Sequence, residues 1–209
     1  MRTLLYIPIV HNQADLGTSG SQLSLEGEKK YGAEVWRNHI KQVDDSWKKL
    51  ELYILERVNK ISADKIRIYQ DGLPAVGEIG IKIIKDVASK GSVNYSIIDS
   101  LITQGSNIEL AEDKQLLLEE YNLLSNIINA ESPESKLKAY VFFQNKSEEL
   151  LNSRDNYIAN KINLTLDDGE TGIAFFGAIH SIVDKLNKDI EVITIQIFND
   201  DISLKLTTK

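Results

Sequence analysis

Four polar residues in this 209-residue chain have types and positions that suit one piece of chemistry: His11, Asp71, Arg154 and His180. Two imidazoles and a carboxylate can hold a divalent metal that lowers the pKa of water, which makes His11, Asp71 and His180 the candidate metal ligands. Without metal, one histidine serves as general base for water while the Arg154 guanidinium stabilises developing negative charge. Both schemes are hydrolytic, and the residue types leave both open. Arg154 carries a signal of its own. It lies four residues after Leu150 and four before Ile158, interrupting the apolar stripe of a helix. Because an unpaired buried guanidinium is costly, it must reach outward or meet an anion. That anion is either a structural partner such as Asp71 or a substrate carboxylate or oxyanion.

Elements that bring such residues together are legible as short β-branched or aromatic runs bounded by turn residues. Five segments read as strands: Thr3 to Val10, Lys65 to Gln70, Asn107 to Ala111, Gly172 to Phe176 and Glu191 to Phe198. Ligands of open α/β sheets bind beyond the carboxyl ends of strands. His11 follows the first strand, Asp71 the second, and His180 the fourth, within Gly177-Ala178-Ile179-His180. Gln70, Glu78 and Gly177 flank these positions as candidate ligand-binding residues. The segment Asn12 to Gly20 is polar and glycine-bearing, as a mobile lid would be. The third histidine, His39, falls inside a helical pattern beside its apolar stripe and reads as structural.

The first and fourth strands are nearly continuous in apolar residues, as strands covered on both faces are. The expected fold is α/β, a mostly parallel central sheet with helices on both faces and a helical insertion before the fourth strand. Ile193, Ile195 and Ile197 alternate with Thr194 and Gln196, as in a strand that is half exposed or at an edge. Long helices are expected over Leu25 to Val58 and from Ser132-Pro133 to about Leu166, the latter with a serine cap and a proline in its first turn. Shorter ones cover Glu78 to Ser89, Asn94 to Gln104 and Asp113 to Asn129. The stripe Trp36, Ile40, Val43, Trp47, Leu50 and Ile54 packs on the sheet, with a homo-oligomer seam as the alternative. Nothing resembling a linker or repeat divides the chain, so a single domain over residues 1–209 is expected.

Composition excludes several function classes. The formal net charge is −7, the wrong sign for a phosphate-binding surface, so nucleic acid is not an expected partner. The absence of cysteine removes thiol catalysis and thiolate metal sites. No apolar run is long enough to span a bilayer, so no membrane partner is expected. Pro8 interrupts the N-terminal apolar run and no small-residue cleavage site follows, which leads to the expectation of a cytoplasmic protein. The patterns GxxxxGK[ST], GxGxxG, HExxH and GxSxG are absent, against kinase, P-loop, Rossmann dinucleotide and zincin readings.

In these residues the chain resembles the superfamily of TraB/TIKI proteins, erythromycin esterases and ChaN-like lipoproteins. That pattern has a histidine after the first strand, an acid after the second, an arginine on a late helix, and GxxH after a following strand. The matching stretches are Ile7-Pro8-Ile9-Val10-His11, Tyr69-Gln70-Asp71, Arg154-Asp155-Asn156 and Gly177-Ala178-Ile179-His180. The family acid is usually glutamate, whereas this chain has Asp71, with Glu78 and Glu109 as alternatives, and its first histidine lacks the usual GxxH setting. The resemblance implies peptide or ester hydrolysis, with a divalent metal in one branch and haem binding in another. The expected partner is thus a small-molecule or peptide substrate. The rival expectation is a non-enzymatic ligand-binding or regulatory protein that holds an anionic small molecule or haem on the same scaffold.

Overall fold

The computed structural model describes residues 1–9, 20–198 and 201–207. Its centre is one six-stranded sheet in the order β3-β2-β4-β1-β5-β6. The strands are β1 (Arg2–Ile9), β2 (Ile66–Gln70), β3 (Asn107–Glu109), β4 (Thr171–Gly177), β5 (Ile190–Phe198) and β6 (Asp201–Thr207). The first five run parallel, and β6 returns antiparallel along β5. The α/β architecture is therefore as the hydrophobic pattern dictates. All five expected strands are present within a few residues of their expected bounds.

The side chains of β4 show why such strands need two covers. Ile173 and Phe175 point into a core formed with α2 (Ala33–Val58), α3 (Gly77–Ser89) and α4 (Val93–Thr103). Ala174 and Phe176 point the other way, against α6 (Pro133–Thr165). All four are fully buried, and burying each large one contributes roughly 2 kcal/mol. The two cores alternate residue by residue along β1 as well: Leu5, Ile7 and Ile9 on one face, Leu4 and Tyr6 on the other. On the α6 face β4 carries the small residues Gly172 and Ala174. A Cβ on Gly172 would stand 2.6 Å from Leu4 Cδ1 and 3.2 Å from Tyr69 Cε2, so the neighbouring strands can lay these two side chains over β4 only because that side chain is missing.

Two expectations change. The single helix expected from Leu25 to Val58 is two, α1 (Gly20–Tyr31) and α2, divided at Gly32. Gly32 has φ of 88°, a left-handed conformation that ends one helix without penalty only for glycine. The last expected strand, β5, is not an edge. β6 pairs with it from Asp201 opposite Phe198 to Thr207 opposite Val192. The alternation Ile202, Leu204, Leu206 against Asp201, Ser203, Lys205 is the period-two signal that marks β6.

The helical insertion before β4 is a hairpin of α5 (Lys114–Ile128) and α6. The Ser132 side chain accepts from the Ser135 amide and Ser135 returns the bond to the Ser132 amide, with Pro133 in the first turn. This reciprocal cap fixes the start of α6. Among the described residues, no helix is long and apolar enough to cross a membrane.

Candidate functional site

β3, β2 and β4 are neighbours, so the residues just past their carboxyl ends fall side by side. Those residues are Glu112 after β3, Asp71 after β2, and Gly177 to His180 after β4. From above, on the Tyr69 and Phe176 face, α6 delivers Arg154 and Asp155. All of Asp71, Glu112, Arg154, Asp155 and His180 are buried.

Asp71 is fixed from two sides: its Oδ2 accepts the Gly177 backbone N–H at 2.8 Å and its Oδ1 accepts Arg154 Nη2 at 2.8 Å. Arg154 also donates to Glu112 at 2.5 Å and to Glu120 of α5 at 2.6 Å. Its Nε reaches the second Glu112 oxygen at 3.3 Å. Glu112 further accepts the Gly72 backbone N–H at 3.3 Å. Burial pulls against the charge on Arg154, yet Glu112, Glu120 and Asp71 together hold it firmly protonated.

His180 lies between two carboxylates. Its Nδ1 is 2.6 Å from Asp155 Oδ1 and its Nε2 is 3.5 Å from Asp71 Oδ2. The second Asp155 oxygen accepts the Ser181 backbone N–H at 2.9 Å. Burial disfavours the imidazolium, but the Asp71 carboxylate and then Asp155 outweigh it, so the pKa of His180 rises above its ordinary value. The Phe176 ring meets the imidazole edge-on with centroids 5.7 Å apart. Tyr6 donates its hydroxyl to the His180 carbonyl at 3.2 Å. Burial and the nearby Asp155 and Asp71 push the Tyr6 phenol up to about 12, so it stays a donor.

Among the described residues, the group carries more negative charge than its partners neutralise: Asp71, Glu112, Glu120 and Asp155 face one guanidinium and one imidazole. Part of the excess is removed by a proton: burial, reinforced by the Asp71 charge and only partly offset by Arg154, raises Glu112 to about 7. A divalent cation would remove it equally well. Asp71, Glu112 and His180 each offer a ligand atom, all within 4.8 Å of one another. This oxygen and nitrogen set suits a divalent metal. Asp155 on Nδ1 is the outer carboxylate that orients a ligating histidine.

Asp71, Arg154 and His180, expected from the sequence, thus come together, with Gly177 contributing its backbone N–H. His11 lies outside the described residues, as does most of the segment expected to form a lid. Three expectations are corrected, while His39 lies inside a helix beside the apolar stripe as expected. Gln70 turns to the opposite face of the sheet, where its Oε1 accepts Asn94 Nδ2 at 3.1 Å. Glu78 is solvent-exposed in the first turn of α3. Glu109 pairs with Arg67 at 2.5 Å, away from this group. His39 is exposed on α2, its ring 5.5 Å from Trp36, at the rim of a cavity of about 240 Å³ on the Gln70 face of the sheet. Glu112, Glu120 and Asp155 were not anticipated. Glu112 obeys the same rule as Asp71, a polar residue just past a parallel strand, but its strand has only three residues.

No family model, curated protein or solved structure matches the chain. Function therefore has to come from the side chains themselves.

Proposed function

We propose that this protein is a hydrolase that activates water for peptide or ester cleavage at the cluster of Asp71, Glu112 and His180, which also holds a divalent cation. The observation that carries the reading is the buried chain Asp155–His180–Asp71, joined to Glu112 by Arg154. A cation bound there would supply a lowered pKa for water and polarisation of a carbonyl oxygen.

The protein's own groups perform the remaining tasks. Asp155 accepts the Nδ1 proton of His180 and so aims Nε2 towards Asp71. The Gly177 amide and Arg154 hold the two Asp71 oxygens apart, one to each partner. Glu112, whose burial raises its pKa to about 7, carries the proton that a cation would displace on binding. Arg154 is a positioning residue in this scheme: its hydrogen bonds go to Asp71, Glu112 and Glu120. That favours hydrolysis over an anion-binding role, which would need those donors free. His180 is buried between two carboxylates, whereas an axial haem ligand must open onto space for the macrocycle.

The test joins binding to turnover. Chelator-treated protein is titrated calorimetrically with Zn²⁺, Mn²⁺ and Mg²⁺, then assayed on chromogenic esters and fluorogenic peptides. One cation per chain is expected to bind, with proton release, since Glu112 and His180 give up protons to it. Asp71→Asn and His180→Ala are each expected to lower turnover by at least ~100-fold. Undiminished turnover in both variants would place the chemistry elsewhere. A wild-type chain that binds none of the three ions and turns over no substrate would defeat the proposal.

A further inference from the structure

The long helix α6 does two things along its length. Every one of its buried residues lies from Leu150 onward, where Ile158, Ala159 and Ile162 pack on the sheet. Arg154 marks the carboxyl edge of that sheet, because it touches Asp71 at the end of β2. At 1.5 Å per residue, the turns from Arg154 back to Pro133 carry the helix about 30 Å beyond that edge. The hairpin of α5 and α6 therefore stands clear of the sheet.

This projecting part is not polar. Leu137, Tyr140 and Val141 recur at spacings of three and four, one stripe of α6. They continue the line of Ile158 and Ile162, the stripe that packs on the sheet lower down. On α5, Tyr121, Leu124 and Ile128 form a second stripe. The helices pack on each other through other faces, with Leu123 buried on α5. Measured from those inner faces, both stripes are displaced by about a quarter-turn or more in the same rotational sense. In an antiparallel pair that displacement brings both onto one side of the hairpin. The six residues are 37% to 63% exposed.

We infer that this side of the α5–α6 hairpin is the interface with a second copy of the chain, the two hairpins packing across a two-fold axis as a four-helix bundle. The exposed parts of the six side chains sum to on the order of 500 Å² of apolar surface, at the top of the range that a lone soluble chain leaves open. A standard interface takes about 800 Å² from each partner, and about 65% of a homodimer interface is apolar. The two quantities agree, which is what a self-complementary patch requires. Charge opposes the other obvious occupant. The hairpin carries Lys114, Lys136, Lys138 and Lys146 against Glu119, Glu120, Glu131, Glu134, Glu148 and Glu149, and the whole chain is at −7. An anionic lipid surface would need the reverse balance. The inference is independent of any metal at the buried carboxylates.

The experiment is sedimentation equilibrium of the full chain from about 1 to about 100 μM. A two-chain mass is expected. The double variant Leu137→Glu, Val141→Glu is expected to weaken association by at least ~10-fold with an unchanged circular dichroism spectrum. Leu52→Glu, at an exposed apolar position on α2, is expected to leave it unchanged. Should the double variant fail to fold, the cysteine-free chain offers another route. Val141→Cys carrying a spin label is expected to give one defined distance between labels. A single-chain mass at every concentration, an association that survives the double variant, or no label-to-label distance would each overturn the inference. So would a monomer that binds vesicles of mixed neutral and anionic phospholipid.

Discussion

Arg154 bridges Asp71, Glu112 and Glu120. Burying a guanidinium costs several kcal/mol unless its partners are well placed, and removing it strands the carboxylates that faced it. Arg154→Met, which keeps much of the side-chain volume, is accordingly expected to lower unfolding free energy by about 3–5 kcal/mol, measured by urea denaturation at neutral pH. A loss under ~1 kcal/mol would mean that solvent screens the network, as it does surface pairs. Arg154→Lys keeps the charge but not the planar fork, so it should recover only part of the loss. The sequence flagged this residue because it broke an apolar stripe. It could not name all its partners, since Glu112 and Glu120 lie 42 and 34 residues away.

At the scale of elements, β4 is tightly packed against its neighbouring strands at Gly172. Gly172 has no room for a side chain: the nearest atoms to an added Cβ are Leu4 Cδ1, Tyr69 Cε2 and Leu166 Cδ2. Gly172→Ala is expected to cost about 1–3 kcal/mol by overpacking, read as a fall in thermal midpoint. An unchanged midpoint would show that Leu4 simply swings aside. Gly32 is the other position where the backbone decides. Its φ of 88° divides α1 from α2 ahead of the stripe that begins at Trp36.

For the whole molecule, buried charge sets the response to pH. Glu112 has its folded pKa raised from 4.5 to about 7, and His180 is also raised. A group raised in the folded state contributes stability that is present below its unfolded pKa and lost as pH rises through the folded one. Glu170, held down by Arg67, has the opposite sign and contributes stability that is lost as pH falls through its depressed pKa. The thermal midpoint is therefore expected to be highest near pH ~5 and to decline towards pH ~8. Glu112→Gln is expected to flatten that decline, because an amide needs no proton. A midpoint that rises steadily from pH ~5 to ~8 would contradict the assigned protonation of Glu112.

What the chain by itself determined is what depends on neighbours in sequence. Continuous apolar runs specify strands covered on both faces, the three-and-four spacing specifies helices, and Ser132-Pro133 specifies where α6 begins. These are local energies, and the α/β layering follows from them. Asp71, Arg154 and His180 were legible for the same reason: each stands at a strand end or breaks a stripe. Only the tertiary structure decided that β3, β2 and β4 lie side by side. That order brings Glu112 to Asp71, and the packing of α6 on the sheet brings Asp155 to His180. Strand order is set by packing between distant segments, whose contacts leave no periodic trace in the sequence.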